Sequence, residues 1–164
     1  AQLLERPDDP AVWTTLAGLY EGMGRTGRAH DAYVEALRLD PGNPSALLYL
    51  GREASEAGDH VTARDYVTRA AAELPEGARY IAYFDLGELE RKAGEVDAAV
   101  DAYERSVADR ATFWNAHFQL AFLYERQGRY DEALASAEKA RVYLGDRPDL
   151  DALIARLRAA GTQP

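Results

Sequence analysis

The chain has 164 residues, of which 47% are hydrophobic and 29% are charged, and its formal net charge is −9. This length suits one domain with a sizeable core, and the composition is typical of a globular protein. The acidic balance argues against binding to the phosphate backbone of nucleic acids. The sequence has no cysteine, which excludes disulfides, thiolate metal sites and cysteine nucleophiles. No apolar run approaches the roughly 18 residues of a membrane span.

One spacing recurs along the chain. Columns of glycine, alanine and leucine each repeat at intervals of 34, 36 and 34 residues. Their members are Gly24, Gly58, Gly94 and Gly128; Ala29, Ala63, Ala99 and Ala133; and Leu16, Leu50, Leu86 and Leu120. Independent columns that keep one frame indicate an internal repeat. They predict four units, at residues 10–43, 44–77, 80–113 and 114–147.

Residues 1–9 (AQLLERPDD) precede the first unit. Pro7 is in register with Pro41 and Pro75, which also repeat at 34 residues. This segment is therefore predicted to be the end of a preceding helix, in which case the chain begins partway through a longer array. The alternative is a short N-terminal extension.

Each unit predicts two helices joined by a glycine, as the first unit shows. Apolar residues at helical spacing come first, and a second amphipathic run follows Gly24. The two runs contain Trp13, Leu16, Ala17 and Tyr20, and then Ala29, Tyr33, Ala36 and Leu37. Glycine suits a left-handed residue after a helix, and Pro41 ends the second helix. No segment alternates with a period of two, so no strand is predicted.

The later units keep this pattern, with two extra residues between the second and third units near EGAR, at residues 76–79. After the fourth unit, residues 148–164 are predicted to form a capping helix and a tail. The helix covers residues 148–160 and has one apolar face, made by Leu150, Leu153, Ile154 and Leu157. A terminal repeat needs such a cover for its open hydrophobic face.

These residues resemble the tetratricopeptide repeat family. Its unit of about 34 residues has the pattern W-x-x-L-G-x-x-Y, followed by alanine, an aromatic residue and proline. The first unit matches with WTTLAGLY and the second with LLYLGREA, whereas the third reads YFDLGELE and the fourth HFQLAFLY. The departures from the pattern include Glu90, Ser106, Ala111, Ala137 and Gly145. The resemblance implies an all-α, right-handed helical-repeat solenoid of helix-turn-helix units with a C-terminal capping helix.

No pattern of catalytic or metal-binding residues is found. His30, His60 and His117 fall in different units, without acidic or histidine partners at metal-ligand spacing. The serines lack a nucleophile elbow with a neighbouring histidine and aspartate. We therefore expect packing or surface roles for the histidines, and neither an enzyme nor a cofactor.

The family resemblance implies that the first helices line a concave groove for a partner segment. On this projection the partner-binding residues are Leu48, Arg52, Phe84, Glu88, Arg91, Asn115, Phe118, Phe122 and Arg126. The family's clamp for acidic C-terminal tails is absent, since its positions hold Thr14, Gly18, Tyr49, Ile81 and Asp85. The three phenylalanines are expected to converge on one apolar patch. Glu88 is expected to pair with Arg91 or Lys92 on a solvated face.

The predicted function is a protein-interaction scaffold that binds a peptide or helix of another protein, apolar and with an acidic group. One alternative is a regulatory or substrate-docking domain of a larger enzyme, or of an assembly factor of the periplasmic biogenesis type. Another is a scaffold that self-assembles through its first repeat into a homo-oligomer. Neither nucleic acid nor a membrane span is expected, and the compartment, cytoplasmic or periplasmic, is left open.

Overall fold

The computed structural model describes residues 8–161, a part of the chain that contains nine α-helices and no strand. In chain order they are α1 (Pro10–Gly22), α2 (Thr26–Leu39), α3 (Pro44–Glu56), α4 (His60–Glu73), α5 (Tyr80–Ala93), α6 (Val96–Asp109), α7 (Trp114–Arg126), α8 (Tyr130–Leu144) and α9 (Pro148–Ala160). The predicted all-α helical-repeat class is confirmed. None of these helices has both the length and the apolar character needed to cross a bilayer. Residues 1–7, with most of the predicted N-terminal segment, lie outside the described part.

Local capping explains where several of the helices begin. The Asp9 side chain accepts a hydrogen bond from the Ala11 amide at 2.9 Å, and Pro10 follows at the first helical position. Asn43 caps α3 in the same way, accepting from the Ala46 amide at 3.0 Å. These bonds satisfy amides that have no partner within the helix, and proline loses nothing at a position whose amide is unpaired anyway.

The glycine column ends the first helix of each predicted unit. All four glycines have a positive φ: Gly24 (67°), Gly58 (81°), Gly94 (83°) and Gly128 (74°). Gly94 shows the role directly, because it caps α5 in the left-handed conformation that a Cβ would strain. The predicted turn chemistry is confirmed.

Successive helices pack as hairpins. The pairs are α1 with α2, α3 with α4, α5 with α6, and α7 with α8. The alanine column lies at these contacts and is almost fully buried: Ala29 (0% exposed), Ala63 (1%), Ala99 (0%) and Ala133 (0%). A methyl-sized side chain at this position lets the second helix approach the first closely.

The chain divides into two compact units between residues 75 and 76. Unit 1 contains α1 to α4, and its second and third helices also pack on each other. The core there includes Ala17, Ala32, Tyr33, Ala36, Ala46 and Leu50. The Tyr33 ring stacks on the Tyr49 ring, with centroids 4.4 Å apart.

Unit 2 contains α5 to α9. Its core runs from α6 to α9 and includes Val100, Tyr103, Leu120, Leu123, Leu150 and Leu153. The predicted last helix is present as α9, which packs on α8. All four of its predicted apolar residues are buried, with at most 3% of their surface exposed. The side of α8 that faces α9 is thereby covered.

The two extra residues fall in the loop before α5, and side chains of α6 hold this loop. Asp109 accepts hydrogen bonds from the amides of Gly77 and Tyr80, each at 2.9 Å. Arg110 donates to the Gly77 carbonyl at 2.8 Å. Ser106, which departs from the family's alanine, is fully buried and donates to the Tyr80 carbonyl at 2.8 Å. The insertion is therefore tied to the end of α6.

Candidate functional site

Two of the nine predicted groove residues lie in unit 1, on α3. Leu48 is nearly buried, with 9% of its surface exposed. Arg52 is exposed and interacts with other residues of the chain. The other seven lie in unit 2, on α5 and α7. Together with Gln119 they make up what we call the α5–α7 face: Phe84, Glu88, Arg91, Asn115, Phe118, Gln119, Phe122 and Arg126.

Glu88 is the centre of a hydrogen-bond network that connects α5, α6 and α7. Its carboxylate accepts from the Tyr103 hydroxyl at 2.5 Å and from Gln119 Nε2 at 2.8 Å. Arg91 donates to it at 2.8 Å, so the predicted pairing with Arg91 is confirmed. The expectation of a solvated face is wrong for Glu88, whose side chain is only 24% exposed because Tyr103 and Gln119 pack on it.

The network sets the ionisation of its members. Burial alone would raise the pKa of Glu88, but the hydrogen bonds from Arg91 and Tyr103 outweigh it and hold the pKa below the usual value. Burial and the Glu88 carboxylate together raise the pKa of Tyr103 well above its usual range. At neutral pH a carboxylate therefore accepts from a neutral phenol, which is the strong, charge-assisted form of this bond.

Phe118 and Phe122 form an aromatic pair on α7. Their ring centroids are 5.0 Å apart and the planes meet at 68°, an edge-to-face arrangement. The Arg147 guanidinium lies 5.5 Å from the Phe118 ring centroid. Both rings are partly buried against the core of unit 2. The pair is thus fixed by packing on one side and keeps some apolar surface on the other.

Phe84 belongs to a different cluster. Its ring contacts Tyr103 at 5.6 Å and Phe113 at 5.2 Å, measured between centroids. Within residues 8–161 there is no ring contact between Phe84 and either phenylalanine of α7. The single patch expected of three phenylalanines is therefore divided into two clusters, because Phe84 points to the hairpin partner and the loop before α7.

Cations lie at the C-terminal ends of α5 and α7. Arg126 is exposed one helical turn after Phe122, and it forms no ion pair within the part of the chain that the structure describes. Lys92, near the end of α5, has no ion pair there either. Glu125, by contrast, is held by two hydrogen bonds of 3.1 Å from Arg156. An unpaired guanidinium beside an aromatic pair can bind a carboxylate in bidentate fashion.

Asn115 supplies an unused acceptor on the same face. Its Oδ1 atom is buried and has no hydrogen-bond partner among the described residues. Asn115 is three residues before Phe118 and four before Gln119, so helical spacing places the three on one side of α7. A buried acceptor without a donor costs free energy, so Asn115 stabilises α7 less than a paired amide would.

The projection from sequence missed Tyr103, Gln119 and Arg147. The repeat frame does point to Gln119, because it occupies the same repeat position as Tyr49 and Asp85. Those two residues stand at positions of the family's clamp for acidic C-terminal tails. Tyr103 matched the family's aromatic position, but nothing in the sequence showed that its hydroxyl reaches Glu88. Arg147 is the last residue of the fourth predicted unit, and no family position pointed to it.

His30 and His117 make polar contacts within units 1 and 2, respectively. His30 Nδ1 lies 2.6 Å from Glu53 Oε2, a contact between α2 and α3. His117 is 3% exposed, and its Nε2 donates to the Ala111 carbonyl at 3.0 Å. Among the described residues, no three histidine or acidic side chains are grouped so that they could hold a metal ion.

Two family models, both described as tetratricopeptide repeat, match residues 10–53 and 90–157. The chain is also 26% identical over 118 residues to the probable UDP-N-acetylglucosamine–peptide N-acetylglucosaminyltransferase SPINDLY of Hordeum vulgare. That match covers 69% of this chain but 12% of the relative, so the chain spans only a small part of the relative's length.

Solved structures share the fold. The chain is similar to pilF of Pseudomonas aeruginosa, with a TM-score of 0.83 and 18% identity over 94% of this chain and 70% of that one. It is similar to PilW, described as a type IV pilus biogenesis factor, with a TM-score of 0.77, 21% identity and coverage of 96% and 73%. It is also similar to YrrB, described as a tetratricopeptide protein with an unusual peptide-binding site, with a TM-score of 0.77, 20% identity and coverage of 98% and 81%. Identities this low support the fold alone.

Proposed function

Because the chain belongs to the tetratricopeptide repeat family, whose repeats indicate a protein-interaction scaffold, we propose that its α5–α7 face binds a segment of a partner protein. One observation carries the proposal: the Phe118–Phe122 pair is only partly buried, and Arg126 lies one turn further along without an ion pair in the described chain. The chain acts by binding, with no chemical step, metal or cofactor.

The chemistry of the face indicates what the partner carries. Apolar side chains would cover the Phe118–Phe122 pair, and burial yields about 25 cal/mol per Å² of apolar surface. A carboxylate would bind the exposed Arg126. The partner segment is therefore apolar with an acidic group, as the sequence had suggested. The Glu88 network keeps α5 and α7 in register, so the face is preorganised for binding.

The test uses the full chain as bait in an extract of the native host, with quantitative mass spectrometry, and then calorimetry with the recovered partner. Phe122→Ala should weaken binding roughly tenfold, the typical effect of truncating a central aromatic. Arg126→Gln should have a smaller effect that decreases with added salt.

The controls separate binding from folding. Val61→Ala, at a side chain 79% exposed on α4, should bind like the unchanged protein. Leu120→Ala removes a side chain that is 2% exposed and should destabilise the fold by about 2–5 kcal/mol. The proposal fails if Phe122→Ala retains full affinity, or if it destabilises the protein as much as Leu120→Ala does.

A second candidate function is a substrate-docking region of a larger enzyme. The similarity to the SPINDLY protein supports it, since the matched part is 12% of that relative. The mass of the native protein in its host distinguishes the two. A mass far above the 18.1 kDa of this chain would favour the docking region, and an equal mass would favour the free scaffold.

A further inference from the structure

Unit 2 has a cleft between α6 and α8, and the loop that follows α6 lines one end of it. Its volume is about 430 Å³. It is lined by Glu104, Val107, Ala108, Ala111, Thr112, His117, Lys139, Val142 and Tyr143. None of these residues belongs to the α5–α7 face, so the cleft, which we call the α6–α8 cleft, is a separate surface.

One wall of the α6–α8 cleft exposes large apolar side chains. Val142 and Tyr143 are consecutive residues near the end of α8, with 75% and 52% of their surfaces exposed. Val107 faces them from α6 and is partly buried. Apolar side chains grouped along a cleft are typical of a surface that a partner covers.

The two opposite charges of the lining, Lys139 and Glu104, lie on different walls and differ in their partners. Lys139 lies three residues before Val142 and four before Tyr143, hence on the same side of α8, and it forms no ion pair anywhere in residues 8–161. Glu104 on the opposite wall accepts from the Tyr124 hydroxyl at 2.6 Å. It also lies 3.6 Å from Arg129, a guanidinium that it shares with Glu132. Lys139 is thus the charged lining residue without an ion pair in the described part of the chain, and a carboxylate of an occupant on the α8 wall would complement it.

His117 adds a buried polar atom at this site. Burial lowers the pKa of His117, which favours the neutral ring. In that form Nε2 donates to the Ala111 carbonyl and Nδ1 is left as an acceptor. That atom is buried and has no partner among the described residues. Nδ1 therefore lies beneath the surface of the cleft, whose lining combines apolar walls with one cation that has no ion pair among the described residues.

We infer that the α6–α8 cleft binds an amphipathic helix of another protein, which inserts a bulky apolar side chain between Val107 and Tyr143 and places an aspartate or glutamate against Lys139. Two neighbouring helices that flank an apolar channel are the usual receptor for such a helix. A small molecule fits less well, since sites for small molecules enclose about 70–90% of the ligand surface, and Val142 and Tyr143 are more than half exposed.

The test is a titration of the full ¹⁵N-labelled chain with a defined probe, followed by NMR. The probe is an acetylated, amidated helical peptide of about 15 residues, alanine-based, with leucine and phenylalanine four residues apart and glutamates on the flanking turn. A matched peptide has glutamines in place of the glutamates. We expect saturable shifts at residues 104–112 and 139–143, with the glutamine peptide roughly two- to fivefold weaker.

Variants of the cleft assign the contacts. Tyr143→Ala should weaken the glutamate peptide roughly tenfold, and Lys139→Gln should remove the difference between the two peptides. Phe122→Ala, on the α5–α7 face, should leave both affinities unchanged, so this inference and the proposed function can fail separately. The inference is overturned if the peptide produces no saturable shift, if shifts occur only on α5 and α7, or if both peptides bind the unchanged chain equally.

Discussion

Gly87 lies on α5 directly against the ring of Tyr103 on α6, and it has the least room for a side chain of all the described glycines. A Cβ at Gly87 would lie 2.5 Å from Cε1 and 2.6 Å from Cδ1 of that ring. Carbon atoms in contact are about 3.5–4.0 Å apart, so Gly87→Ala requires the ring to move by about 1 Å. The ring is fully buried, and its hydroxyl is bonded to Glu88. It therefore cannot move without losing other contacts.

Three contributions set the size of the effect. Overpacking a filled core costs about 1–3 kcal/mol, and weakening a hydrogen bond to a charged group costs up to about 1.5–3 kcal/mol. Alanine in a helix interior recovers about 0.5–1 kcal/mol relative to glycine. The cost of overpacking and of the weakened hydrogen bond exceeds the gain in helix propensity. We therefore expect Gly87→Ala to lower the free energy of unfolding by about 2 kcal/mol.

Urea unfolding measures the total effect, and hydrogen exchange locates it. Protection should fall in α5 and α6, whereas α1 to α4 keep theirs. The matched control is Gly18→Ala on α1, where nothing lies within 4 Å of the added Cβ, so the same substitution should stabilise by up to about 1 kcal/mol. If Gly87→Ala stabilises the protein as Gly18→Ala does, the ring of Tyr103 does not fill the space beside Gly87.

Two further predictions concern unit 2. Glu88→Gln should destabilise it most at neutral pH. Because the folded-state pKa of Glu88 lies below the usual 4.5, the stabilisation is present above that value and is lost as the pH falls through the folded-state pKa. Denaturant curves of the two proteins should then converge in acid, and a difference independent of pH would contradict this. Removing residues 148–164 uncovers the part of the core that packs on Leu150, Leu153 and Leu157. Exchange should rise first in α8 while α1 to α4 stay protected, and a uniform rise along the chain would argue against a capping role.

The predicted helices and turns depended on local causes, and these could be read from the sequence. Apolar residues at helical spacing and the glycines after the first helices act within a few residues of each other. The 34-residue frame then placed the hairpins, because each unit repeats the same local pattern, and the apolar face of residues 148–160 placed α9. For the same reason the pair of Glu88 and Arg91, three residues apart on α5, was predicted correctly.

The partners of the site residues were decided by the tertiary structure. Phe84 and Phe118 occupy one repeat position, yet Phe84 packs on Tyr103 and Phe113, whereas Phe118 pairs with Phe122. The Glu88 bond to Gln119 joins residues 31 apart. Such contacts depend on the spacing of neighbouring helices and on side-chain rotamers, which a one-dimensional repeat frame does not contain.

Equivalent pairs in two hairpins illustrate the physical reason. The third hairpin places Gly87 against Tyr103, and the fourth places Ala121 and Ala137 at the same two repeat positions. One hairpin fills the space between its helices with a single large ring, and the other has a methyl group at each of the two positions, with both alanines fully buried. The sequence by itself determined that each position is small or apolar. The close packing of α5 on α6 places the Tyr103 ring against Gly87. The Tyr103 hydroxyl therefore reaches Glu88 and fixes that side chain on the α5–α7 face.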